Sequence, residues 1–436
     1  MFRALVTPFV TALCLLVSSS LHAQESRPER PYRGLFGGGD VDVQQGLSVS
    51  GSLGGGYDTD LSQDAQSATQ LSIPGTQLAQ SGALGQFSGS LSYVLSGESA
   101  SLSASAGSTG RYYPSGGEQR ILRRDSLGLQ GSTRLGAGLS VSASASYAPF
   151  RVSDLYPSGV AAGPGEASDF FDFGASAEHY LAYSGGISGE WQMSRRASFS
   201  ANYRYGGSVM SENIPRPRSH QGGGGMQYNL GRGLDFNLGY RHTQARYAAS
   251  EAYVTHGINA GVNFRRALSF SRRTTLSFRT GTMAADDPST GEGLRFHAVG
   301  DVALNHEIGR TWKAALTYDR NLRFTENWTT PVFSDAVGIS LEGLVNRRMA
   351  FHSRGGASSG RLSAGSGGGF DAYFADAGLT FALGRHAAIG TSYRYHNHEF
   401  ANAFSGVPGI PSSLERHSVQ AYLSVWAPIF QRARRP

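Results

Sequence analysis

Residues 294–318 read LRFHAVGDVALNHEIGRTWKAALTY, and their period decides the class of fold. Leu294, Phe296, Ala298, Gly300, Val302 and Leu304 alternate with Arg295, His297, Val299, Asp301, Ala303 and Asn305. A short Gly309-Arg310 connection follows. Trp312, Ala314, Leu316 and Tyr318 then alternate with Lys313, Ala315, Thr317 and Asp319. Successive side chains of a strand point to opposite faces, so each run has one apolar face and one polar face. The same period-2 pattern returns at Leu234–Arg241 and at Val419–Val425.

Working outward, the connections repeat as well. Short ones fall at Ser96-Gly97, Gly136–Gly138, Ser194–Arg196, Gly231–Gly233, near Ser269, and at Gly309-Arg310, Arg347-Arg348 and Gly384-Arg385. Longer polar stretches separate them, near 58–80, 112–120, 148–178, 208–219, 246–252, 282–292, 324–332, 360–370 and 399–415. Eight tight turns and nine long loops join eighteen strands in an up-and-down meander. Strands of soluble sandwiches run about 5–6 residues. These alternating runs are roughly twice that, the length a tilted membrane-crossing strand needs. In lipid an open sheet edge would leave backbone groups without partners, so such a sheet has to close. The expected fold is therefore all-β: a closed antiparallel up-and-down transmembrane β-barrel of about 18 strands, with short periplasmic turns and long extracellular loops. An even strand number places both termini on the periplasmic side.

Composition agrees. The 436 residues include 59 Gly, and only 16% are charged, against a typical ~25%. Aromatic residues make up 11% and are spread along the chain, unlike a disordered segment. No strict Gly-X-Y period is present, which excludes collagen. Among the 38 basic residues Lys313 is the only lysine, a base-composition bias more than a function.

The first 23 residues read as a secretory signal peptide: Arg3 precedes an apolar Ala4–Ser19 run, and Leu21-His22-Ala23 offers a small residue before the cut. Cys14, the only cysteine, lies inside it, so the mature chain is expected to have no disulfide and no thiolate metal site. Residues 24–43 form a short periplasmic segment, too short for a globular plug; 44–430 is the barrel and 431–436 a tail. Trp191, Trp312 and Trp426 fall near short-turn ends and Trp328 near a long-loop end. Tyr93, Tyr205, Tyr240, Tyr318 and Phe324 lie at the same levels, as interfacial girdles would.

Over nearly all of 44–430 the chain resembles Gram-negative outer-membrane β-barrel proteins, porin-like in size. The resemblance rests on this architecture and on the final strand His417–Phe430, which ends on an aromatic residue as such barrels often do; here Gln431–Pro436 follows it. The resemblance implies a cell-outer-membrane location, contact with outer-membrane lipids, insertion by the barrel assembly machinery and a possible homotrimer.

About eight strands are filled by side chains, whereas 16–18 leave an aqueous channel. The polar faces carry Ser48, Ser50, Asn202 and, as candidate pore-lining residues, Arg124, Arg204, Asp235, Arg241, Arg295, Asp301, Glu307, Lys313, Asp319 and Glu342. The bland alternative is a paired network that fills the lumen. In porins the third loop folds inward. Here that is 148–178, the longest loop, and it carries Asp154, Glu166, Asp169 and Asp172 among Tyr156, Phe170, Phe171 and Phe173. Folded in, these carboxylates would form a constriction loop facing the wall arginines. A surface loop is the even alternative.

Arginines collect at the short turns (Arg195, Arg196, Arg232, Arg310, Arg347, Arg348, Arg385) and acids at the loops (Asp58, Asp60, Asp64, Asp286, Asp287, Glu399). A basic inner rim suits anionic phospholipid, and the strands show no nucleic-acid stripe. Chemistry-bearing constellations are weak. His396 and His398 share a strand face at a loop end but lack a third ligand, so they read as solvated rim residues. Asp40, Asp42, Asp58 and Asp60 are too sparse for a calcium loop. Gly222–Gly225 has no strand-then-helix context for phosphate; it lets a strand bend or makes room for a bulky lumen neighbour. The expectation is a non-enzyme without metal or cofactor. It would be a channel for small hydrophilic solutes, with polysaccharide export or a non-conducting structural or adhesive barrel as alternatives.

Overall fold

The computed structural model describes residues 43–61, 81–114, 121–136, 138–151, 174–209, 218–231, 234–246, 253–268, 271–286, 294–309, 311–323, 332–362, 369–400 and 413–433. Eighteen strands form one sheet: β1 (Val43–Asp58), β2 (Gly82–Ser96), β3 (Ala100–Tyr112), β4 (Ile121–Arg134), β5 (Leu139–Arg151), β6 (Gly174–Gln192), β7 (Ala197–Val209), β8 (Arg218–Gly231), β9 (Leu234–Arg246), β10 (Tyr253–Leu268), β11 (Ser271–Asp286), β12 (Leu294–Ile308), β13 (Trp312–Arg323), β14 (Val332–Asn346), β15 (Met349–Leu362), β16 (Gly369–Ala382), β17 (Ala387–Phe400) and β18 (Ser413–Ala433). Each pairs antiparallel with its sequence neighbours, and β1 pairs with β18, so the sheet has no free edge. The strand ends that flank the eight short connections stand where the sequence places them. The candidate constriction residues Asp154, Glu166, Asp169 and Asp172, the segment 1–42 and Trp328 lie outside the described residues.

Strands in a barrel must tilt and stagger. One hydrogen-bonded row shows it. From Gly46 at the inner end of β1 it passes through Val94, Ser103, Gln130, Ser144, Ser184, Gly206 and Ser219 to Ala245 at the outer end of β9. The last strand runs past Phe430. A register shift lets Leu47 pair with Phe430, and Gln431, Arg432 and Ala433 continue the ladder to Gly46, Gln45 and Val43.

The alternation sorts two solvents. Val49, Leu53, Leu91, Ile187, Leu238, Ile258, Phe296, Leu316, Ile339 and Leu423 lie exposed on the outer face. So many exposed large apolar side chains around one circumference exceed any patch a water-soluble monomer carries, and they match the apolar band of a membrane barrel. Among the described residues no helix is long and apolar enough to cross a membrane; the crossing is made by strands. Glycines make room for outward aromatics: an added Cβ at Gly343 would collide with the Trp312 ring, and one at Gly110 with Phe87. In the Gly222–Gly225 run the crowded position is inward Gly223, where an added Cβ would lie 2.9 Å from the Tyr240 carbonyl oxygen and 3.3 Å from the Asn202 side chain; Gly222 and Gly224 stand at ordinary contact distance from Tyr203 and Phe199.

One girdle assignment changes. Trp191 is exposed and stacks on Phe199. Trp426, by contrast, takes the inward parity of β18, is buried with Ala382 and Ala388, and stacks on His386. Its neighbours Val425 and Ala427 hold the outer positions, so it caps the inner end of the lumen wall instead of a lipid interface.

The outer face is testable by one substitution. Ile339→Arg replaces a side chain 61% exposed at mid-strand, a change that water would tolerate. Facing lipid, it should destabilise the barrel by about 2–4 kcal/mol, read as a lower urea midpoint in refolding from phospholipid vesicles.

Candidate functional site

The lumen is lined by the inward positions, and it has two unlike halves. From β1 to β7 the inward face is mostly serine and glycine. Hydroxyls of adjacent strands meet directly across the ladder: Ser50 with Ser90 (2.6 Å), Ser52 with Ser88 (2.7 Å), and Ser101 with Ser132, Ser140 with Ser188 and Ser144 with Ser184 (each 2.8 Å). In each pair one hydroxyl donates and the other accepts, and the acceptor's own proton and the remaining lone pairs stay available on the lumen side. Between Arg134 at the inner rim and Arg111, Arg124 and Asp58 at the outer end, β1–β5 place no charge on this wall.

The other half, from β7 to β17, is charged. Arg279 binds Asp301 through both Nε and Nη2 at 2.7 Å, and Asp301 in turn stands opposite Asp319. Arg241 lies within Coulombic reach of Arg279. Asp376 gathers His352 (Nε2 to Oδ1, 3.2 Å) and Arg394 (Nε to Oδ2, 3.7 Å), with Arg354 directly opposite in register. Nearer the inner end Glu307, Lys313 and Glu342 occupy one hydrogen-bonded row, all three exposed.

The sequence candidates therefore share a face but not a single cluster. Arg204, Arg241, Glu307, Lys313 and Glu342 are inward and exposed, and Asp301 and Asp319 are half-buried. Asp235 is half-buried too, and its Oδ1 has no hydrogen-bond partner among the described residues. Arg124 is inward near the outer end of β4, half-buried and engaged. Arg295 lies on β12, and its side chain is outside the described set. The sequence reading missed Arg279, Asp376, Arg394 and the serine wall. The alternation already carried the signal, since Ser140, Ser142, Ser144 and Ser146 occupy every second position of β5.

Exposure also changes along the axis. Up β7, Ser200, Asn202 and Arg204 are exposed, whereas Gly206 and Ser208 are buried. At the outer end of β16–β18 and β1 the inward side chains are packed. Arg416 and Asp58, 1% and 0% exposed, form a forked pair, Nε to Oδ1 and Nη2 to Oδ2, both 2.8 Å. His396 and His398 are buried beside them, Nε2 to Nδ1 3.1 Å. This corrects two readings. Asp58 is not a solvated loop acid, and the histidines are not solvated rim residues. Even parity turns all of these groups inward, where neighbouring strands cover them. Among the described residues no three His, Cys, Asp or Glu side chains are placed to hold a metal.

No protein-family model matches the chain, and no curated protein matches it in sequence. Among solved structures it is similar to OccK2 (OpdF) of Pseudomonas aeruginosa in complex with glucuronate, 9% identical over 89% of this chain and 100% of that one, TM-score 0.45. It is similar also to OpdO of the same organism (12%, 90% and 99%, 0.45) and to OccAB2 of Acinetobacter baumannii (11%, 90% and 100%, 0.44). Likenesses of this degree bear on neither solute nor selectivity.

The Asp58–Arg416 pair joins the first strand to the last. Asp58→Asn strands a buried guanidinium and should destabilise the barrel by about 3–5 kcal/mol. The check is the temperature at which the compact band converts to the unfolded one on a gel, compared with exposed Asp371→Asn as a control.

Proposed function

We propose that this protein is an outer-membrane channel passing small hydrophilic solutes, exported by way of residues 1–23 as a signal peptide. The observation that carries the reading is the two-sided lumen: an uncharged hydroxyl wall faces a wall of charged groups, inside a barrel whose outer face is apolar. Eighteen strands enclose more cross-section than short side chains fill. Serines and glycines leave β1–β7 thin, and the exposed Glu307, Lys313 and Glu342 show where water reaches the opposite wall. A polar wall that both donates and accepts replaces the hydration of a neutral solute, while paired charges opposite orient a dipolar one. The loop carboxylates Asp154, Glu166, Asp169 and Asp172 would add a constriction if that loop enters the bore. Nothing in this reading requires catalysis or a cofactor.

A second reading has its own support. The serine wall runs nearly the strand length without a charge, a surface suited to a neutral polyhydroxylated polymer, so polysaccharide export fits the same lumen. Graded solutes separate the two. Ser144→Phe should slow large sugars several-fold in liposome swelling and leave small ones nearly unchanged if the hydroxyl wall borders the path. Equal rates for all sizes would remove that wall from it.

Charge supplies the decisive measurement. In a planar bilayer the refolded protein should give steady conductance steps. Lys313→Glu converts the Glu307–Lys313–Glu342 row to three like charges, so the reversal potential in a salt gradient should move toward cation preference. A heat-modifiable barrel without steps would refute the channel. Deletion of 158–168 with unchanged conductance would refute the constriction.

A further inference from the structure

On the outer face, at the loop end of β8 and β9, Arg218 stands directly opposite Arg246 in register. Both are exposed, and both share the face of Met226 and Leu238. Like charges directly opposite across a ladder repel and destabilise it. Arg361 on β15 stands singly, opposite Phe333 and Gly369, while two other outward arginines at this end carry their own acid: Arg123 with Asp125 (2.9 Å) and Arg320 with Asp335 (3.6 Å). Among the described residues the Arg218–Arg246 pair has none.

The rungs just below are aromatic and basic as well. His220 pairs with Tyr205 on one side and Gln244 on the other, and His242 stands opposite His256. The Tyr203 hydroxyl meets His220 Nδ1 at 2.7 Å, and Tyr240 meets His256 Nδ1 at 2.7 Å. With the phenol donating to Nδ1, each imidazole keeps its proton on Nε2 as a further donor. The Tyr205 ring lies 4.8 Å from that of His220, and His242 lies 5.0 Å from His256. One rung lower the wall becomes apolar. The patch thus sits on the boundary between the lipid-facing band and the loop end.

We propose that this face of β7–β10 is a docking site for a phosphorylated glycolipid of the outer leaflet. The two guanidiniums would take its phosphate and the ring pairs would lie against its sugars. The proposal rests on the outer-membrane reading, which supplies the lipid, and on charge complementarity. Guanidiniums form forked, charge-assisted bonds with phosphate, and a phosphate between them turns the repulsion into attraction.

The test uses the purified full-length barrel in detergent and native mass spectrometry with bis-phosphorylated lipid A. Wild type should retain the lipid, and R218Q/R246Q should bind it at least about tenfold more weakly, the ratio that corresponds to ~1.4 kcal/mol. R361Q, which removes a solitary outward arginine on β15, should behave as wild type. Lipid A stripped of its phosphates should bind wild type no better than the double variant binds the intact lipid. The double variant relieves a repulsion, so it should fold, as the heat-modifiable band will show. Equal binding by wild type and double variant would overturn the site. Full competition by inorganic phosphate at the lipid's own concentration would overturn the lipid as occupant. Failure of the outer-membrane reading would show separately, as Ile339→Arg refolding normally in vesicles while lipid A still bound in detergent.

Discussion

Everything in this molecule depends on closing the sheet. A membrane offers the backbone no hydrogen-bond partner, so the two edges of an eighteen-strand meander must find each other. Fifteen rungs join β1 to β18, with register shifts near the inner end. At the outer end the forked Asp58–Arg416 pair fixes that register from inside. A slip by one residue would move every side chain to the other face. With β18 slipped, Arg416 would face lipid, Val419 and Leu423 the lumen, and Asp58 would be left inside without its partner. The buried pair therefore discriminates between registers. That role suits an ion pair better than stability does, because burying two charges offsets much of their attraction.

Closure also explains the composition. Outward positions must be apolar where they meet lipid, and aromatic side chains need space beside them. Glycines under Trp312 and Phe87 provide it. Inward positions must be short, or the bore fills. Serine meets both demands of the inner wall, being small and able to satisfy its own hydroxyl against the next strand. A chain that is rich in Gly and poor in charge is what two such constraints, applied at alternate residues, leave behind.

The sequence made the strands and turns legible because the period-2 signal is local. Leu316 and Lys313 declare opposite faces without reference to any partner. What stayed hidden depends on neighbours several hundred residues away or on depth along the axis. Trp426 looked like an interfacial residue because it stands near a strand end, but parity relative to Val425 turns it inward onto His386. His396 and His398 were placed on one face correctly. Their burial comes from packing among β16–β18 and β1, which no spacing rule reports. The serine wall was visible residue by residue in β5, yet its meaning appears only when Ser140, Ser144, Ser184 and Ser188 are seen to be cross-strand partners.

The charged half of the lumen follows a different logic from the outer face. Inside, opposite charges are brought together: Arg279 with Asp301, and Asp376 with His352 and Arg394. In a medium of lower dielectric than water an unpaired charge would be far more costly than at a surface. Exposed Glu307, Lys313 and Glu342 escape that requirement because solvent reaches them. On the outer face at the loop end, Arg218 and Arg246 stand exposed side by side, with no acid of their own among the described residues. The same physical rule thus separates three environments around one sheet. Buried pairs such as Asp376–Arg394 and Asp58–Arg416 mark where the wall excludes water, exposed charges such as Glu307 and Lys313 mark where water enters, and the exposed Arg218–Arg246 pair marks the upper margin of the apolar band on the outer face.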